Sequence, residues 1–467
     1  MRKLIGLLMV FLVFENVHAQ MNSEKITFEQ YLQIVKAHHP FMQRAELIPQ
    51  HAAANLLAAR GGFDPKVFAD VSQKYFSGDK YYSYISTGVS VPTWFGLSFY
   101  SGYDQTEGSY INPQFRTPEA GLVYAGAQLT LGQGLLIDKR RADLRKAQLF
   151  TQIAEQDRVM FVNQLLLDAS LAYWDWYAAY KIKVFIDEAY NVTKTRFEAI
   201  KQAALFGERA LIDTLEMSVQ LQNLNMLQQD FSLQEQLRRL ECGYFLWADG
   251  LVPVELKENV EPGEINASSL TLTLSSIMLQ LDDLVQNHPE LLRDMVRIDQ
   301  QQIDLRLQRE MLKPMLNLKY NAINQPIANN PMANYSLQNY TWGLDFSIPV
   351  LLRNERAQVQ MAKLRLQDMS LLLDNKRALL VMKAKSAINE WQITEQQLSF
   401  YTNTVQDIQR LLQAERTRFD NGESSVFLVN TREMTLVNAQ IKLFEVEAKN
   451  QKAIYKALYS LALMEGV

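Results

Sequence analysis

The chain has 467 residues, 48% hydrophobic and 21% charged, with 47 basic against 51 acidic residues for a net charge of −4. That balance excludes a nucleic-acid binder, whose footprint is basic, and the apolar content excludes a disordered chain. One cysteine, Cys242, excludes a disulfide framework or a CxxC site, and five histidines leave little material for a zinc cluster.

Arg2 and Lys3 precede an apolar run from Leu4 to Phe14 that closes at Val17-His18-Ala19. This is the grammar of a secretory signal peptide over residues 1–19, against the competing reading of a buried N-terminal helix. No cysteine follows the run, so no lipid anchor is expected, and the mature chain should start near Gln20, outside the cytoplasm. Residues 28–60 read helical, broken at Pro40. Within 66–131, Val67, Ala69 and Val71, then Val123, Ala125, Ala127, Leu129 and Leu131, alternate with polar residues, as strands with one apolar face do. Between them, in 82–117, Ile85, Thr87, Val89 and Val91 alternate too, which fits either an added hairpin or an exposed loop. Fourteen of the 66 residues from Lys66 to Leu131 are aromatic, about twice the chain's 10% average. They gather near strand ends, as interfacial girdles do, although a soluble β-sandwich with aromatic strands is the rival reading. Residues 138–205 contain neither proline nor glycine, and a helix of 66 residues is about 100 Å long. A partner helix is expected over 210–247.

After a linker at 251–277 the same order returns: a helical lead broken at Pro289, strands over 315–350, and long helices over 353–419 and 425–464. Tyr340, Trp342, Leu344, Phe346 and Ile348 alternate most cleanly, and Val437, Ile441, Phe444, Ala448, Tyr455, Leu458 and Ala462 form a heptad stripe with one polar miss at Gln451. Four anchors hold constant spacing. His39-Pro40 to Pro65 matches His288-Pro289 to Pro314, and Leu129, Arg141, Gly207 and Tyr244 recur 215 residues later as Leu344, Arg356, Gly422 and Tyr459. The chain therefore reads as a duplication, with repeats at 20–250 and 278–467. Beyond the leader no segment suits a membrane helix, since the most apolar, 161–180, carries Asn163, Gln164, Asp168 and Asp175. Four strands, or six with the insertion, cannot close a spanning barrel, which needs about eight. Strands in lipid must then be shared among copies.

The duplicated plan, the helical lead ending in His-Pro, the Arg-Ala step opening each long helix and the Arg-Phe-x-x-Gly turn at Gly422 resemble the TolC-like outer-membrane efflux protein family. The resemblance implies a mixed, mainly α fold and a homotrimer. Four strands per chain would form one outer-membrane β-barrel, continued by a periplasmic α-helical barrel. It also implies a passive exit duct for efflux or secretion, not an enzyme, docked to a periplasmic adaptor protein and an inner-membrane pump. With its end at Val467, the chain is expected to lack the C-terminal extension of some members.

The turns at 206–209 and 420–423 mark the helical tips, where Gly207, Glu208, Arg209, Gly422 and Glu423 are candidates for the periplasmic closure and adaptor docking. Asp213 and Glu216 share a helix face and are candidates for an acidic pore ring, unless they only complement the helix dipole. Family members typically place that ring six and nine residues past the second turn glycine, where this chain has Leu428 and Thr431. His39 and His288 read as helix-end residues, not metal ligands. There is no G-x-S-x-G, H-E-x-x-H or phosphate loop, and no cofactor or metal is expected. The alternative function is a soluble periplasmic coiled-coil scaffold or binding protein.

Overall fold

A computed structural model describes residues 25–265, 278, 280–326 and 336–466. The expected signal peptide at 1–19 and the linker stretch 266–277 lie outside the described residues. In chain order the main elements are α1 (Phe28–His38), α2 (Pro40–Arg60), β1 (Lys66–Phe76), β2 (Asp79–Pro92), β3 (Leu97–Glu107), β4 (Leu122–Thr130), α3 (Lys139–Leu205), α4 (Leu211–Gly243), α5 (Leu281–Gln286), α6 (Pro289–Glu310), β5 (Met315–Asn324), β6 (Tyr340–Ser347), α7 (Arg353–Asp420) and α8 (Val426–Ser460). They divide between two compact units. A strand unit takes residues 48–157 and 290–375, and a helical unit takes the rest. Among the described residues no helix is long and apolar enough to cross a membrane.

The strand unit holds one antiparallel sheet in the order β6-β5-β4-β3-β2-β1. The chain thus supplies six strands to this sheet, not the four that the family resemblance implied. The two added strands are β2 and β3, from the stretch that the sequence left open between hairpin and loop. The reason is local. Ser77 and Gly78, both at positive φ, form a two-residue turn whose twist suits a tight hairpin, and the period-two pattern then runs on through Val91. Apart from a bulge at Lys74–Tyr75 near the end of β1, the six strands keep one register of faces. Val67 pairs with Val89, Phe99 with Ala127, Leu129 with Leu318, and Leu318 with Leu344, so apolar side chains meet apolar neighbours across the whole sheet. That face is open: Val67 is 82% exposed, Trp342 67% and Phe346 64%. A β-sandwich would have buried it against a second sheet.

Asp138 starts α3 by accepting the Arg141 backbone N–H at 2.9 Å, while the Arg141 side chain donates to the Leu135 and Leu136 carbonyls. Burial alone would lift the Asp138 carboxyl, but the Arg141 N–H and guanidinium outweigh it and hold it below the usual range. Packing of α3 against α6 buries Ile137, Ala142, Ile303 and Leu307.

In the helical unit a capping box starts α1: Gln30 N donates to Thr27 Oγ1 at 3.2 Å and Thr27 N to Gln30 Oε1 at 3.0 Å. Aromatic residues fill the core, with Phe28 4.6 Å from Tyr455 and 5.2 Å from both Tyr173 and Trp174 between ring centroids. Several buried polar groups there are paired, although Trp174 Nε1 and the Asn430 amide find no partner among the described residues. Trp176 Nε1 donates to Glu235, and Asn163 donates to the Tyr459 carbonyl and accepts the Met464 N–H, closing the end of α8. Val437, Ala448, Tyr455 and Leu458 of the heptad stripe are buried, and so is its polar miss, Gln451.

Candidate functional site

The strand unit presents a polar face opposite its apolar one. Alternation puts Ser86, Tyr100, Asp104, Gln128, Lys319 and Thr341 on it, and they line a cavity of about 570 Å³. Ser86 Oγ donates to Asp104 Oδ1 at 2.7 Å, a polar rung between the two added strands. The connection at 108–121 folds onto this face. Thr106 and Thr117 exchange backbone-to-hydroxyl bonds of 3.0 and 2.9 Å, Phe115 meets Tyr84 edge-on at 6.1 Å, and Phe115 and Arg116 join the cavity lining. A sheet polar on one side and apolar on the other suits a boundary between water and an apolar phase, a protein core or hydrocarbon. Sequence reasoning did not single out the inward loop. Its only signal was Phe115-Arg116 between prolines at 113 and 118 in an otherwise polar connection.

The helical unit ends in two matching turns. After α3, Gly207 N donates to the Ala204 carbonyl and Glu208 N to that of Ala203; after α7, Gly422 N donates to Phe419 and Glu423 N to Arg418. Both are Schellman caps, with Gly207 at φ 77° and Gly422 at φ 80°. A Cβ at either glycine would meet nothing within 4 Å, so the left-handed backbone, not crowding, demands glycine. Beneath the turns Ile200, Met217 and Val426 form a small core with Phe197 and Phe419.

Of the candidate tip residues, Arg209 lies over the Phe419 ring at 4.5 Å, and Glu423 accepts from Arg418 only through its backbone carbonyl. Asp213 and Glu216 occupy the first two turns of α4, half-buried, and among the described residues neither joins an ion pair. Leu428 and Thr431 are exposed. The charge cluster that does form was not anticipated. Glu433 of α8, 8% exposed, pairs with Arg196 of α3 and, at 2.8 Å, with Arg416 of α7, and so ties three helices together. Its signal was a lone acid at helical spacing between Val426, Val429 and Val437, where apolar residues belong. His39 is a buried helix-end residue whose Nδ1 accepts the Phe41 N–H at 3.1 Å, and burial lowers its pKa. Among the described residues no cluster of His, Cys, Asp or Glu fits a metal ion.

Residues 280–462 match the model of the outer membrane efflux protein family. The match spans the second repeat, about two fifths of the chain. Solved structures of the same fold include the CmeC outer membrane channel of Campylobacter jejuni, at 13% identity and a TM-score of 0.66, covering 93% of this chain and 85% of that one. VceC from Vibrio cholerae shares 14% identity at a TM-score of 0.67, covering 95% and 96%. The open-state MtrE channel of Neisseria gonorrhoeae shares 11% at 0.65, covering 93% and 88%. No curated protein sequence matches the chain significantly. The chain thus shares the fold of outer-membrane channels over nearly its whole length, and its second repeat matches the efflux-protein family model.

Proposed function

We propose that this chain forms a homotrimeric exit duct in the outer membrane, a passive efflux channel that receives cargo from an inner-membrane pump through a periplasmic adaptor. One observation carries the sharing of a barrel: the sheet exposes an apolar face, yet among the described residues no further strand pairs with its outer strands β1 and β6. Unpaired backbone N–H and C=O groups are not tolerated in hydrocarbon, so neighbouring copies supply the missing pairs. The helices support the same reading. On α7, Leu364, Leu371, Met382, Ile393, Phe400 and Leu411 are all exposed, at spacings of 7 and 11 residues that return to one face. On α4, Leu215, Val219, Met226, Leu233, Leu237 and Leu240 form a second uncovered stripe. Two different stripes on one chain suit a heterologous contact that closes into a ring, and the TolC-like fold supports three copies.

In this reading the two repeats of each chain, 20–250 and 278–467, supply four and two strands of the wall and one long helix pair each to the tube. The Schellman turns with Gly207, Glu208, Arg209, Gly422 and Glu423 form the adaptor-facing rim. Asp213 and Glu216 line the approach to it, and the Glu433 cluster holds the tip shut until the adaptor and pump bind. Purified protein should need detergent, run as three copies by native mass, and give stepwise conductance in planar bilayers. A particle that washes from the periplasm without detergent overturns the proposal.

The connection at 108–121 narrows the outer end of such a duct. Replacing the exposed residues 112–116 by a short Gly-Ser link, which spares the buried Ile111 and the bonds of Thr117 to Thr106, should raise the single-channel conductance of a tip-opened variant and leave trimer stability unchanged. Equal conductance would mean that the tip alone limits flow.

A further inference from the structure

We propose that the inserted hairpin β2–β3 is a structural part of the membrane wall, so that three copies close an eighteen-stranded outer-membrane barrel, β6 of each copy pairing with β1 of the next. The inference rests on the shared-barrel reading above and deepens it. Three observations place the hairpin in the wall.

Strand length comes first. β2 has 14 residues and β3 has 11, enough to span a bilayer, which takes about 9–11 tilted residues. The faces agree next. Ile85, Val89, Val91 and Phe99 lie on the same apolar face as Val67 and Leu129 of the flanking strands, while Ser86, Ser90, Ser98 and Asp104 lie on the polar face. A hairpin folded outside the barrel would have no reason to keep that register.

The third observation is how the flanking strands lock onto the hairpin. One row across the sheet reads Phe68, Gly88, Gly102, Tyr124, from β1 through β2 and β3 to β4. The two aromatic rings lie over the two bare glycines: a Cβ at Gly88 would come within 2.7 Å of Phe68 Cζ, and one at Gly102 within 2.5 Å of the Tyr124 hydroxyl. An aromatic side chain covering a cross-strand glycine is a recognised sheet-pinning device. Here it fixes both borders of the insertion at once.

Barrel diameter grows roughly linearly with strand number, so eighteen strands in place of twelve give a bore about 1.5-fold wider. Barrels of 16–18 strands leave an aqueous channel, and a wide lumen has room for the inward loop at 108–121. The outer-membrane segment would then suit bulky, hydrated solutes, with selection made by the loop and by the tip.

Thiol scanning in proteoliposomes tests this. The native Cys242 is buried, and burial pushes its thiol pKa up, so the background is silent. Single variants Val89→Cys, Val91→Cys and Phe99→Cys should react with a water-soluble maleimide at least about tenfold more slowly than Ser86→Cys, Ser90→Cys and Ser98→Cys, because a thiolate does not form in lipid. A bimane label on the first set should be quenched by spin-labelled lipid, and the particle mass should be three chains. Uniform reactivity along both strands in a conducting trimer overturns the eighteen-stranded wall and leaves the exit duct standing. Two chains per particle would make twelve strands and also overturn it. A lipid-free monomer would sink both proposals.

Discussion

Glu433→Gln should open the channel. Glu433 neutralises Arg196 and Arg416, and its removal leaves two guanidiniums, 24% and 40% exposed, facing each other without their shared counter-charge. Breaking one side of a fully buried ion pair costs about 3–5 kcal/mol, and with both arginines partly in water the cost here is about 2 kcal/mol. Strain of that size, placed where α3, α7 and α8 meet, favours their separation. If the closed tip bears most of it, the open fraction rises on the order of tenfold. The same substitution at Glu423, whose carboxylate makes no ion pair among the described residues, should change little. Conductance of the two variants and the wild type in planar bilayers is the measurement. Identical traces for all three would remove the Glu433 cluster from the gate.

A second large effect is expected from charging the α7 stripe. Leu371 and Phe400 are 62% and 73% exposed in the single chain, so Leu371→Asp with Phe400→Asp removes almost nothing from the protomer's own core. In a ring the same positions are covered. Each substitution then forfeits about 1.5–3 kcal/mol of apolar burial and desolvates a carboxylate, and the loss recurs at every interface. The variant should keep wild-type helicity by circular dichroism yet fail to form trimers in detergent. Persistent trimers would show that this face is turned to solvent or to the adaptor. Loss of helicity would show that it packs within the chain.

Much of the strand unit was legible before any coordinates. Tyr340, Trp342, Leu344 and Phe346 alternate with Thr341, Gly343 and Asp345, and a half-buried strand has no other way to write its two faces. Long stretches without proline or glycine marked α3 and α7, and glycines 215 residues apart marked their caps, because a left-handed backbone tolerates few other residues. The tip chemistry was far less legible. Arg209 and Glu423 are candidates for the closure because they are charged and close in sequence to the turns. In the fold Arg209 lies on a phenylalanine ring, and the ion pair joins Arg196, Arg416 and Glu433, which come from three helices.

The sequence by itself determined the duplication, the class of each element and the two-faced character of every strand, since each follows from residue identity at fixed local spacing. Only the tertiary structure decided that β2 and β3 join the sheet instead of looping away, that residues 108–121 fold onto its polar face, and that Glu433 is shared by two arginines. Those outcomes depend on partners about ten to well over two hundred residues distant, and short-range periodicity says which side of a ribbon is apolar but not which neighbour it will meet.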